Sequence, residues 1–305
     1  MPPEKITVTK QINMNGLKII VLAKQVPDTR NVGKDAMKED GTVNRAALPA
    51  IFNPEDLNAL ELALRIKDFH PGSTVSLLTM GPGRAADIIR EGMFRGADNG
   101  YLLSDRAFAG SDTLATSYAI SCAIRAIGAF DLIVCGRQAI DGDTAQVGPQ
   151  VAEKLGIPQI TYAEEVIKIE KNSIRVKRRL ERGVETVEGQ FPLLLTVNGS
   201  APECRPRNVK LLMKYKHAKT VSETQPDDND YYSALFNERP YLNITEMGVK
   251  DIDAKVEDLG LSGSPTKVKK IENVVFQAKD TKRLADSDSD MQALMVELIA
   301  NHTLG

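Results

Sequence analysis

"GRQAIDGDTAQVGPQVAEKLG", residues 136–156, decides how the rest of the chain is read. A glycine-punctuated turn feeds a helix, the usual way to present backbone N–H groups to an anion such as a phosphate. The helix is predicted to end near Gly156, ahead of Pro158. Just before the turn lies "DLIVCG" (131–136), a short apolar run suited to a buried strand. Yet the turn carries two acids, Asp141 and Asp143, which oppose an anion. Asp143 and Gln146 form a D-x-x-Q capping box, so helix geometry alone accounts for Asp143. Asp141, beside Gly142, is an acceptor placed for a ribose hydroxyl or an amine, as acids near dinucleotide sites are. The N–H groups of residues 144–147 remain to meet a pyrophosphate.

Upstream, the same strand–turn–helix unit recurs. "LKIIVLA" (17–23), "TVSLLTM" (74–80) and "GYLLS" (100–104) read as strands. Helices are predicted over "NPEDLNALELALRIKDF" (53–69), with Asn53 as N-cap and Pro54 in the first turn, over the segment from 81 to Gly96, and over "DTLATSYAISCAIRAI" (112–127). "QITYA" (159–163) is a fifth strand. This alternation predicts an α/β fold, a doubly wound and mostly parallel sheet with helices on both faces. Ligands in such sheets bind outside the carboxyl ends of the strands, at the switch in strand order. The loops "AKQVPDT", "MGPG", "SDRAFAGSDT" and "GRQAIDGDTA" all fall on that edge, which places one nucleotide-sized site there.

From residue 164 the pattern alternates in period two, with turns at Lys171-Asn172 and Arg182-Gly183. That predicts an antiparallel excursion returning to the sheet through "LLLTV" (193–197). A basic segment follows (202–219), then the polar, turn-rich "VSETQPDDNDYYS" (221–233), read as a linker. In "SDMQALMVELIANH" (289–302), Met291, Leu294, Met295, Leu298 and Ile299 recur at helical spacing, so a C-terminal amphipathic helix needs a partner for its apolar face. The predicted organisation is an N-terminal extension over residues 1–13, ahead of a second methionine at 14, then a nucleotide-binding α/β domain over 14–220, then a linker and C-terminal arm over 221–305.

With 305 residues, 42% hydrophobic and a formal net charge of -2, the chain has no global pull toward nucleic acid or an acidic membrane. Its three cysteines form no disulfide framework and no C-x-x-C, which fits a reducing compartment. No apolar run reaches the roughly 18 residues of a membrane span, and the polar N-terminus lacks a signal-peptide core. A cytoplasmic protein is expected, with no membrane insertion. His70, His217 and His302 are dispersed and flank no triad or metal-ligand spacing, so no catalytic side chain and no metal site is predicted; any chemistry belongs to a bound cofactor. The loop after the first strand has no glycine, which excludes a dinucleotide fingerprint and a P-loop. "TMGPG" serves as a tight turn unless a ligand reaches Met80 or Arg84. Arg205, Arg207, Lys210, Lys214, Lys216 and Lys219 lack interleaved aromatics apart from Tyr215; they form a solvated face or a partner-docking loop.

"LKIIVLAKQVPDT", "NPEDLNALELAL", "SDRAFAGSDTLATS" and above all "CGRQAIDGDTAQVGPQVAEKLGIP" resemble the beta subunit of electron-transfer flavoproteins. The resemblance extends from Met14 to the mid two-hundreds. It implies an adenine-nucleotide alpha-hydrolase-like sheet, a heterodimer with an alpha subunit, and a C-terminal arm lent to that partner. Carried over by position, the nucleotide contacts fall on Ala23, on Asn53, Pro54, Glu55 and Asp56, on Met80, and on Gly136, Arg137, Gln138, Ala139, Ile140, Asp141, Gly142, Asp143, Thr144, Ala145, Gln146 and Val147. The basic segment resembles the family's recognition loop for a flavin-dependent dehydrogenase, with Val209 at the anchor position.

Two branches of that family differ in the ligand: a structural AMP in simple carriers, or an FAD that takes hydride from NADH and splits the electrons between a high-potential and a low-potential acceptor such as ferredoxin. "DGDTAQVGP", with small Gly142 and Ala145, together with "SDRAFAGSDTLATS", "GLSGSPTKV" (260–268) and the long tail, resembles the bifurcating branch. There Thr113 and Thr116 would hydrogen-bond the flavin ring. A stand-alone nucleotide-binding regulator of the universal-stress type is the competing expectation, opposed by the lone amphipathic C-terminal helix.

Overall fold

The computed structural model describes residues 16–28, 49–224, 229–266 and 281–301. The predicted extension over 1–13, Met14, His302 and the end of "GLSGSPTKV" beyond Thr266 lie outside the described residues. A nine-stranded sheet organises the chain. Its strands are β1 (Lys18–Leu22), β4 (Thr74–Met80), β5 (Asn99–Leu103), β6 (Leu132–Gly136), β7 (Gln159–Glu170), β8 (Ser173–Leu180), β9 (Gly183–Gln190), β10 (Leu193–Val197) and β11 (Thr245–Met247). In space they run β11-β5-β4-β1-β6-β10-β7-β8-β9. Every neighbour pair from β11 to β7 is parallel, and β7-β8 and β8-β9 are antiparallel. The expected excursion is therefore a three-stranded ribbon, and β10 returns to insert between β6 and β7. A separate two-stranded antiparallel sheet, β2 (Gln25–Pro27) with β3 (Ala50–Phe52), occupies a stretch whose pattern predicts loop.

Continuous burial explains why the central strands carry unbroken apolar runs: all five residues of β6 and all five of β10 are buried. On one face α1 (Pro54–Phe69) and α2 (Ala86–Arg95) pack Leu60, Leu64, Ile89 and Met93 against Val21, Leu77, Val134 and Leu195. On the other, α3 (Thr113–Ile127) and α4 (Val147–Leu155) pack Ile120, Ile124 and Val151 against Leu22, Leu78, Ile133 and Leu194. The sheet is doubly wound. The chain steps from β1 outward through β4 to β5, then crosses back to start β6 on the opposite side of β1. The crevice between the carboxyl ends of β1 and β6 is the switch point where such sheets bind ligands.

Local chemistry sets the helix ends. Asp112 caps α3, its carboxylate accepting from the N–H groups of Leu114 and Ala115. Gly156 ends α4 in the left-handed conformation at φ 67°. The expected helix from 81 to 96 begins instead with a 3-10 turn, Gly83–Ala85, ahead of α2. Residues 240–264, read from pattern as part of the linker and arm, lie against the sheet body: Leu242, Ile244, Met247, Ile252 and Leu259 are buried, and the three-residue β11 extends the sheet beyond β5. The short helices α5 (Val209–Tyr215) and α6 (Asn229–Glu238) precede this strap. The last helix, α7 (Asp288–Ala300), buries none of its residues; Met291 and Ile299 are more than half exposed. Among the described residues no helix is long and apolar enough to cross a membrane.

One glycine is required by approach rather than by φ. A Cβ on Gly136 would lie 2.5 Å from Asp56 Oδ1 and 2.7 Å from the Glu55 carbonyl carbon, so α1 is seated directly on the end of β6. Gly136→Ala is expected to lower stability by about 1–3 kcal/mol through displacement of that helix start, read by chemical denaturation. Unchanged stability would show that α1 is not fixed there.

Candidate functional site

A cavity of about 500 Å³ opens at the switch point, within the range of small-molecule and cofactor sites. Its floor is built by Asp56. Oδ1 accepts the Gly136 N–H at 2.9 Å and Oδ2 accepts the Lys24 N–H at 2.9 Å, so one carboxylate joins the ends of β6 and β1. Burial pushes its pKa up to about 7, against the lowering effect of those two N–H groups and of Asn53, with the Glu55 charge adding to the rise. Cys135, beside it in β6, is also buried, and burial followed by the Asp56 charge holds its thiol protonated. It is no nucleophile.

The loop leaving β6 is held from outside the cavity by the first turn of α1. Glu55 accepts the Gln138 N–H at 2.9 Å and pairs with the Arg137 guanidinium at 3.1 Å. Asn53 donates to the Gln138 carbonyl at 2.9 Å and accepts from the Ile140 N–H at 3.2 Å. The Asn53 side chain therefore does not cap α1, although the residue occupies the cap position. Its amide is shared between the loop and Asp56. Beyond Ile140 the chain turns tightly, with the Gly142 and Asp143 N–H groups both donating to the Ala139 carbonyl. Asp143 and Ala145 then adopt left-handed backbone, φ 48° and 53°. This corrects the capping-box expectation: α4 starts at Val147, with Gln146 rather than Asp143 at its cap position. Asp143 instead accepts from the Gln138 side chain at 2.9 Å.

The two acids of the turn are thereby engaged from within the chain. Asp141 is paired with the Lys24 ammonium at 2.7 Å, and Asp143 is hydrogen-bonded to Gln138. Among the described residues, the N–H groups of residues 144–148, apart from whatever a ligand supplies, have no protein acceptor, and Pro149 carries none. They form the open donor end of α4. Opposite lies the start of α3, where Thr113 donates to Gln146 at 3.0 Å and Thr116 lines the cavity. Asp112 fastens this rim to the strap: Thr266 donates to it through its N–H at 3.0 Å and its hydroxyl at 2.7 Å, and buried Ser264 accepts the Asp112 N–H. Burial opposes ionisation of Asp112, but the Thr266, Ala115 and Leu114 hydrogen bonds outweigh it and hold the carboxyl below the usual range.

Sixteen of the residues carried over from the family pattern line this cavity: Ala23, Asp56, Met80, Thr113, Thr116, and the loop from Gly136 to Val147 with the exception of Ile140. Asn53, Pro54, Glu55 and Ile140 stand behind the loop and are not in the lining. Lys24, Phe108 and Asp112 line it without having been singled out by sequence. Lys24 follows Ala23 in a loop already assigned to the binding edge, so position alone was the available signal. The basic segment divides: Arg205 is committed to Glu61 and Asp68, Lys214 lies over the Tyr215 and Tyr241 rings, and Lys219 lies over Tyr232. Val209, at the start of α5, is exposed together with Met213.

Comparison with known proteins agrees with this geometry. Residues 40–228 match the electron transfer flavoprotein domain. The chain belongs to the electron transfer flavoprotein family. The electron transfer flavoprotein subunit beta of Megasphaera elsdenii is 43% identical over 296 residues, covering 93% of this chain and 100% of that protein. The caffeyl-CoA reductase-Etf complex subunit CarD of Acetobacterium woodii is 44% identical over 252 residues, 83% of this chain and 86% of that one. The acryloyl-CoA reductase electron transfer subunit gamma of Anaerotignum propionicum is 42% identical over 281 residues, 88% of this chain and 96% of that one. Beta subunits of this family pair with an alpha subunit. Membership displaces the stand-alone regulator expectation.

The raised pKa of Asp56 has a sign that stability measurements detect. Between about pH 4 and pH 7 the folded flavoprotein subunit keeps a proton that the unfolded chain has released, so this group's contribution falls as pH rises through that window. The stability difference between the parent chain and Asp56→Asn is expected to shift against the parent by about 1.4 kcal/mol per pH unit there, for one proton. Parallel pH profiles for the two would contradict it.

Proposed function

We propose that this chain is the beta subunit of a heterodimeric, electron-bifurcating flavoprotein and that its switch-point cavity holds FAD. The observation that carries the reading is the pairing of two unlike walls in one cavity. One wall is the open donor end of α4, suited to phosphates. The other joins the Thr113 and Thr116 hydroxyls to Leu22, Leu78, Phe108 and Ile120, a polar-edged apolar slot suited to a flat ring. Gly142 supports room for an extended ligand, because a Cβ there would meet nothing within 4 Å.

Bound FAD supplies acceptance of hydride from NADH and division of the electrons between a high-potential path, through the FAD of the alpha subunit, and a low-potential acceptor such as ferredoxin. The chain's own groups bind and orient. N–H groups of residues 144–148 hold the phosphates, Asp143 shapes the loop, Asp141 meets a ribose hydroxyl, and the Thr113 and Thr116 hydroxyls hydrogen-bond polar edges of the ring, Thr113 as acceptor while it donates to Gln146. The apolar slot excludes water from that ring. The uncovered α7 is the arm that docks on the alpha subunit, and the exposed Val209 face of α5 docks a flavin-dependent dehydrogenase. Relatives named for caffeyl-CoA and acryloyl-CoA reductases support a dehydrogenase acting on a CoA thioester. The site of action is the cytoplasm.

The test is to co-express the chain with its alpha subunit, denature the purified heterodimer and count released cofactors. Two FAD and no AMP per heterodimer is the expected result. One FAD with one AMP would contradict bifurcation and make the protein a simple electron carrier with a structural nucleotide.

A further inference from the structure

Among the described residues, six charged side chains line the cavity: Asp56, Asp112, Asp141 and Asp143 against Lys24 and Arg137. Counted formally, four carboxylates face two cations, a poor balance for a ligand that brings phosphates. Most of these groups are already committed. Asp56 holds the ends of β1 and β6, Asp112 holds α3 and the strap, and Asp143 accepts from Gln138. The Arg137 guanidinium is paired with Glu55 on the far side of the loop and lies 5.9 Å over the Tyr162 ring. Lys24 differs. Its backbone is fixed, because the N–H is held by buried Asp56, while its side chain is half exposed and reaches across the mouth to both oxygens of Asp141, at 2.9 and 2.7 Å.

We propose that Lys24 recognises a phosphate of the bound nucleotide, exchanging its Asp141 partner for the ligand. The inference rests on the nucleotide reading of the cavity. An ion pair as exposed as Lys24–Asp141 contributes little, so a more highly charged phosphate competes for the ammonium at small cost. A lysine is suited to the exchange: a compact point charge on a flexible stem needs no fixed fork geometry to find its acceptor. The N–H groups of residues 144–148 supply dipoles but no net charge, so among the described residues Lys24 is the cation placed to offset the acids around the phosphate. The exchange also accounts for both acids in the turn. Asp141 parks the cation at the mouth beside the ligand's sugar, whereas Asp143 belongs to the loop itself.

The exchange predicts selectivity for phosphate rather than for the nucleoside. Calorimetric titration of the full chain with AMP and with adenosine is the measurement, comparing the parent with Lys24→Gln and Lys24→Arg. Lys24→Gln is expected to weaken AMP roughly tenfold or more, as loss of a charge-assisted hydrogen bond does, while adenosine changes less than about twofold. Lys24→Arg, which keeps the charge, is expected to retain most of the AMP affinity. Equal weakening of AMP and adenosine by Lys24→Gln, or no change in either, would overturn the inference while leaving the nucleotide site standing. A parent chain that binds neither compound would overturn the nucleotide reading and this inference with it.

Discussion

The site depends on one buried carboxylate. Asp56 has its two oxygens on the N–H groups of Lys24 and Gly136, which lie at the ends of the two strands that flank the switch in strand order. Both N–H groups find their acceptor in this side chain rather than in a helix or sheet carbonyl, and an unpaired buried N–H is costly. Asp56 satisfies both at once and in doing so sets the distance between the mouths of β1 and β6. The approach of α1 that makes this possible leaves no space for a side chain at position 136. Sheet edge, helix start and loop origin are thus one construction.

From that anchor the loop after β6 is organised by residues that do not themselves line the cavity. Asn53 and Glu55 hold the backbone of residues 138–140 from behind, so that the chain emerges into the crevice already directed. Two non-glycine residues, Asp143 and Ala145, then sit in left-handed backbone, which costs on the order of 1 kcal/mol each. Such strain persists where the surroundings over-determine it. The acids that looked incompatible with an anion site are engaged by Lys24 and Gln138, so the loop's charge is managed locally rather than by the overall charge of the chain.

Much of this was legible in the sequence. Unbroken apolar runs such as "LIVCG" and "LLLTV" announce strands buried on both faces, and their alternation with helical patterns announces a parallel sheet and its binding edge. The loop after β6 was visible because glycine and turn residues meet a helix start there. What was not legible has specific causes. The three-residue β11 and the β2–β3 pair are too short to show a period. Asn53 and Asp143 both carry strong capping signals, but long-range partners claimed their side chains, an outcome that spacing cannot reveal. Lys24 has no motif around it; only the fold brings it, from 117 positions away, to Asp141.

The central claim is that the switch-point cavity receives the nucleotide. Amide hydrogen exchange followed by mass spectrometry, with and without added FAD or AMP, tests this most directly. The account requires slowed exchange in peptides spanning residues 138–148 and 110–116, with the ribbon of β8 and β9 unchanged. Protection confined to the ribbon or to α5, with the loop after β6 unaffected, would contradict it.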